Sequence, residues 1–118
     1  MEQQSQQQGI PISMMQGAIF ASLQGVLMRH LMLKLRNDLL EMARKHRCSR
    51  ALLDMSGIET IDKSEFDGIV DTAKMLKLMG VKTWLVGMRP GIISGLSAVG
   101  ADITAVQGVC NLKQALEH

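Results

Sequence analysis

From Met28 to His46 the apolar residues Met28, Leu31, Met32, Leu35, Leu39, Met42 and Ala43 recur at spacings of three and four. That period describes a helix with one apolar stripe, and such a stripe has to be covered. The residues that follow can supply the cover. Ala51-Leu52-Leu53-Asp54-Met55 is an apolar run of strand length, closed by Ser56-Gly57. Ile58 to Ile61 then leads into a second helical pattern from Lys63 to Met79, with Phe66, Ile69, Val70, Ala73 and Leu76 on its inner face and Gly80 as the stop. Lys82 to Val86 reads as another strand, and Ile92 to Val99 as a short helix ended by Gly100. A last short strand is expected near Thr104 to Val106, and Asn111 is expected to cap a final helix through about Glu117. Upstream, Ile10 to Met14 reads as a first strand, with Pro11 placing it at a sheet edge. Gln16-Gly17 is a turn signal, and Ala18 to Leu23 completes a hairpin. Repeated strand–helix–strand units favour parallel neighbours. The pattern predicts an α/β fold: one mixed, mostly parallel β-sheet with its helices packed mainly on one face.

The 118 residues suffice for one domain. Phe20, Phe66 and Trp84 are the only aromatic residues, so the core must be built from Leu, Ile, Val, Ala and some of the ten Met. Met fills irregular gaps and also suits adaptable binding surfaces. Glu2 to Gln8 is a polar run that can bury little apolar area; residues 1–9 are expected to form a disordered Gln-rich tail and residues 10–118 the folded domain. The net charge is +2, and Lys34, Arg36, Arg44, Lys45, Arg47 and Arg50 are interspersed with Asp38, Glu41 and Asp54. This describes a solvated helix face rather than a nucleic-acid stripe. Cys48 and Cys110 have no CxxC partner and read as reduced thiols. Neither a membrane-spanning run nor a signal-peptide pattern is present, so a cytoplasmic protein with no membrane partner is expected.

The most informative stretch is the entry to the second helix. Asp62 followed three residues later by Glu65 is a capping-box spacing, in which each side chain accepts the other residue's backbone N–H. Between them lie Lys63 and Ser64. A phosphate on a hydroxyl there would add roughly −1.5 to −2 charge at the positive end of a helix, beside Asp62, Glu65 and Asp67. Met75 and Leu78 fall off the inner stripe of this helix, as Leu33 and Leu40 fall off that of the first. Clustered exposed apolar residues mark interfaces, so Met75 and Leu78 are candidates for partner contact. Signals for catalysis are weak. His30, His46 and His118 have no Cys or carboxylate at a triad or metal spacing. Gly87 to Gly95 has neither phosphate-loop nor dinucleotide-binding spacing. No metal, cofactor or enzymatic activity is expected.

Ile10-Pro11-Ile12, Leu53-Asp54-Met55-Ser56 with Ile61-Asp62, Lys77 to Lys82, Gly87-Met88-Arg89-Pro90 and Leu112 to Leu116 occur in an order and spacing that resembles STAS domains, the fold of bacterial anti-sigma-factor antagonists. Within that family the chain is most similar to the RsbS-type component of the stressosome, and the likeness runs from about Gly9 to Glu117. The resemblance implies a non-enzymatic scaffold and regulator of a bacterial stress-signalling complex. Its partners would be RsbR-like STAS paralogues and a switch serine/threonine kinase, with self-association. A simpler anti-sigma-factor antagonist, binding an anti-sigma kinase, is the alternative. The family's phosphoacceptor commonly follows the Asp that opens the second helix. Here that position is Lys63, and the nearest first-turn hydroxyl is Ser64, which becomes the acceptor candidate. The acidic residues usual before the first helix are replaced by Met28-Arg29-His30.

Overall fold

A computed structural model describes residues 9–25, 27–101, 104, 106, 109 and 110. The elements are β1 (Ile12–Met15), β2 (Ala18–Gln24), α1 (Arg29–Lys45), β3 (Arg50–Gly57), α2 (Lys63–Leu78), β4 (Lys82–Val86), α3 (Pro90–Ala98) and β5 (Val109–Cys110). The strands form one sheet in the order β1-β2-β3-β4-β5. The β1–β2 pair is antiparallel and the other three pairs are parallel. Gln16 and Gly17 join the hairpin with φ of 51° and 79°, a two-residue turn with both centres left-handed, which matches the twist of the flanking strands.

Side-chain alternation sorts the sheet into two faces. Ile19, Ala21 and Leu23 of β2, Ala51, Leu53 and Met55 of β3, and Leu85 of β4 join one core cluster with Met32, Leu35 and Leu39 of α1. The inner faces of α2 and α3 belong to the same cluster, so the three described helices cover one side of the sheet. Ala18, Leu52 and Val86, with Phe20 and Trp84 partly buried beside them, form a smaller cluster on the other side. The expected inner face of α2 is buried at every position, with Phe66 and Leu76 fully enclosed. The sheet and its helical layer match the α/β fold expected from the sequence.

Three details differ. The last strand lies at Val109–Cys110, not near Thr104 to Val106; Val106 is a buried residue of the core cluster, and pairing with Leu85 and Val86 places the strand's start five residues later. β3 continues through Ser56-Gly57, because Gly57 pairs with Gln24 across a register shift and its carbonyl accepts the Gly25 N–H at 3.2 Å. Leu40 is half-buried against the core rather than exposed, since the apolar face of a globular helix is wider than a narrow seam. The final helix expected at 111–117 and the tail expected at 1–9 lie outside the described residues, apart from Gly9.

Candidate partner-binding site

The parallel strands β2, β3 and β4 end on the same edge, and their connections hold one another there. The Ser56 N–H donates to the Asp54 carboxylate at 3.0 Å, and Arg89 Nη2 donates to the Ser56 carbonyl at 3.5 Å. Gly87 has φ 73°, and a Cβ at this position would lie 3.1 Å from Ser56 Cβ and 3.3 Å from Asp54 Oδ1. The left-handed backbone favours glycine here, and a side chain would press on both neighbours. From this edge Ile58, fully buried, anchors the connection that leads into α2.

Asp62 is the N-cap of α2 with extended backbone, φ −92° and ψ 173°. Its Oδ1 accepts the Glu65 N–H at 2.7 Å, and Glu65 Oε1 accepts the Asp62 N–H at 2.9 Å. Both halves of the expected capping box are present. Phe66 points into the core, so the rest of the first turn looks outward. Lys63 reaches one turn along to Asp67, with Nζ 3.0 Å from Oδ2. A cation at a helix N-terminus opposes the dipole, and this ion pair offsets part of that cost. Ser64, the second helical residue, is exposed.

Ser64 also lines an open groove of about 670 Å³ between α1 and α2. Met32, Gly68 and Thr72 are among its lining residues. A Cβ on Gly68 would sit 3.6 Å from Met32 Cε, so the helices come close at this point. Thr72 is buried, and its hydroxyl donates to the Gly68 carbonyl at 2.9 Å, which satisfies it. The two walls differ in charge. α1 contributes Arg29, Leu33 and Arg36, and α2 contributes Ser64, Asp67 and Asp71.

Further along α2, Met75 is 37% exposed and Leu78 is 89% exposed. Ser64, Gly68, Asp71, Met75 and Leu78 succeed one another at spacings of four and three, so they form one outward stripe. Met79, at the C-cap, adds another exposed apolar side chain. Leu33 is exposed as expected from the sequence. The groove, its two arginines and Met79 were not anticipated. The 4-3-4 spacing of Arg29, Leu33, Arg36 and Leu40 marks one face of α1 but not which helix lies beside it. The glycines at 91 and 95 border a separate hollow of about 400 Å³ with Glu59, Thr60 and Arg89. Among the described residues there is no group of three or more His, Cys, Asp or Glu placed to hold a metal ion, and no helix long and apolar enough to cross a membrane.

Residues 5–114 match the STAS domain family, and the chain belongs to it. It is 32% identical over 79 residues to RsbRB of Bacillus subtilis strain 168, named as an RsbT co-antagonist protein; the match covers 67% of this chain and 28% of RsbRB. The chain thus spans little more than a quarter of the length of that curated relative. Among solved structures it superposes on a variant of RsbS from Moorella thermoacetica with a TM-score of 0.77 at 18% identity, covering 92% of each chain. It superposes on Bacillus SpoIIAA in its phosphorylated form with a TM-score of 0.66 at 13% identity, covering 92% of this chain and 97% of that one. The fold is therefore that of stressosome components and anti-sigma-factor antagonists.

Proposed function

We propose that this chain is a non-enzymatic scaffold of a stressosome-type signalling complex, binding RsbR-like STAS paralogues and a switch serine/threonine kinase in the cytoplasm. The observation that carries this reading is its kinship with RsbRB, a co-antagonist by name, across two thirds of the chain. The exposed turn Asp62–Ser64, the outward Met75 and Leu78, and the groove beside them are the surface offered to those partners.

Ser64 is the proposed phosphoacceptor. The kinase would transfer the γ-phosphoryl group of ATP to the Ser64 hydroxyl oxygen, with loss of the hydroxyl proton and release of ADP. The phosphate would meet the positive end of α2, a contribution of about 0.3–1 kcal/mol, and would crowd Asp62, Glu65 and Asp67. These opposed local effects leave the fold standing. A partner that desolvates the site responds more strongly, because an unpaired charge at an interface costs several kcal/mol.

The second reading, a simple antagonist that binds an anti-sigma kinase, is favoured by the likeness to nearly the whole length of SpoIIAA. The test is incubation with the switch kinase from the same genome and ATP, followed by phosphate mapping by mass spectrometry, in wild type and Ser64→Ala. Phosphate on Ser64, lost in the variant, supports the assignment. Phosphate on Thr60 or Ser94 with none on Ser64 refutes the acceptor assignment, and failure to bind the kinase refutes that part of the function.

A further inference from the structure

We propose that the edge of the sheet at which its parallel strands begin is a membrane-facing surface, built to lie on an anionic lipid headgroup layer. This goes beyond the proposed function and uses neither the groove nor the Asp62–Ser64 turn.

The inference starts from direction. Each described helix carries the chain from the end of one parallel strand back to the start of the next, so α1, α2 and α3 all finish at the edge where β2, β3 and β4 begin. The connections there hold one another. The Lys82 N–H donates to the Ser49 carbonyl at 2.9 Å, and Arg50 pairs with Ala18 on one side and Lys82 on the other. Arg50 Nη2 donates to the Gln16 carbonyl at 3.2 Å, which ties in the hairpin turn.

Charge separates this edge from the opposite one. The sequence has no acidic residue between Glu41 and Asp54, or between Asp71 and Asp102. Those stretches bring Arg44, Lys45, Arg47, Arg50, Lys77 and Lys82 to the edge, all exposed except the half-buried Arg50. Glu41, a turn before the end of α1, is shared by Arg44 and Lys45 at 2.7 and 3.3 Å. Cations in a last helical turn complement the dipole, and that accounts for Arg44, Lys45 and Lys77. It does not account for Arg47, nor for Arg50 and Lys82, which are strand residues. The opposite edge, where α2 starts, carries Asp54, Glu59, Asp62 and Glu65 beside Lys63 and Arg89.

Apolar side chains decide which anion fits. Met79, the C-cap of α2, is 42% exposed and joined to Lys82 through Gly80 and Val81. Val99, the C-cap of α3, is 56% exposed and ends the helix that follows β4. Apolar tips ringed by cations suit a headgroup layer, with the cations at the phosphates and the tips at the acyl boundary. A nucleic-acid backbone or an acidic peptide answers the cations alone and leaves the tips against charge. No helix among the described residues can cross a membrane, which bears on spanning and not on lying at its surface. The sequence-based expectation of no membrane partner rested on spanning alone.

The experiment is co-sedimentation of the full chain with phosphatidylcholine vesicles, with and without about one third phosphatidylserine. Two double variants are compared: Lys77→Glu with Lys82→Glu, and Met79→Ser with Val99→Ser. Met75 and Leu78 stay unchanged, so the surface offered to protein partners is kept. Circular dichroism verifies that both variants fold. The wild type is expected to bind the phosphatidylserine vesicles and to be released as salt rises. The glutamate variant is expected to bind at least about tenfold more weakly, since each cation near such a surface contributes about fivefold. The serine variant is expected to lose at least about threefold. Arg89→Glu, at the far end of β4, is expected to change binding by less than about twofold, because salt screens a charge at that distance.

A wild type that ignores phosphatidylserine vesicles overturns the inference. So does binding indifferent to either double variant, or tighter binding to double-stranded DNA or polyglutamate than to the anionic vesicles. Assembly with an RsbR-like paralogue without vesicle binding overturns this inference and leaves the proposed function intact. Vesicle binding by a protein that ignores every paralogue and the kinase supports it and removes the proposed function.

Discussion

Asp62 and Glu65 hold each other's backbone amides, at 2.7 Å in one direction and 2.9 Å in the other, and so fix where α2 begins. The reciprocal bonds satisfy two donors that a helix start would otherwise leave without an intrahelical partner. They also determine how Lys63 and Ser64 are presented. Asp62→Ala should destabilise the domain by about 1 kcal/mol. Thermal unfolding monitored by circular dichroism should show a midpoint about 4 °C lower. An unchanged midpoint would mean that the cap contributes nothing to the folded state.

Gly87 is a second position where the backbone leaves little choice. Its φ of 73° and the closeness of Ser56 and Asp54 both penalise a side chain. Gly87→Ala should lose about 1–2 kcal/mol from the left-handed backbone alone. Urea denaturation checks this, and Gly91→Ala is a suitable comparison because open space surrounds a Cβ there.

Met75 and Leu76 are adjacent in sequence and opposite in role. Leu76 is fully buried, so Leu76→Ala should cost about 2–5 kcal/mol. Met75→Lys and Leu78→Lys alter exposed positions and should change stability by no more than about 0.5 kcal/mol. Partner binding, measured by calorimetry, should fall in the lysine variants. Unfolding by Met75→Lys would place that residue in the core and remove the interface.

What could be read from the sequence was local. Asp62 and Glu65 are three residues apart, so their spacing was enough to reveal the cap. The inner face of α2 was equally plain, because Phe66, Ile69, Val70, Ala73 and Leu76 keep one helical period. β5 was misplaced because a two-residue strand has no period of its own; pairing with Leu85 and Val86 locates it. The extension of β3 through Gly57 likewise depends on Gln24 and Gly25, far away in sequence. The groove could not be anticipated for the same reason. Arg36 and Asp71 share it only because two helices lie side by side on the sheet.

Cys48 gives a pH-dependent readout of the packing at the end of α1. Burial pushes its thiol above the ordinary range, so less thiolate is present at neutral pH than in an open cysteine. Alkylation by iodoacetamide at pH 7.5 should be slower for Cys48 in the folded protein than in urea, and should accelerate as pH rises. Site-resolved mass spectrometry distinguishes it from Cys110. Equal rates in folded and unfolded protein would show that the half-buried environment of Cys48 does not persist in solution.

In the proposed scaffold, this STAS domain assembles with other STAS domains. The direct measurement is size-exclusion chromatography with light scattering on the full chain mixed with an RsbR-like paralogue from the same genome. Both proteins should elute together in a particle far larger than either alone, and Met75→Lys with Leu78→Lys should shrink or abolish it. Two separate small species, unchanged by mixing, would contradict the scaffold and leave the simple antagonist as the better description.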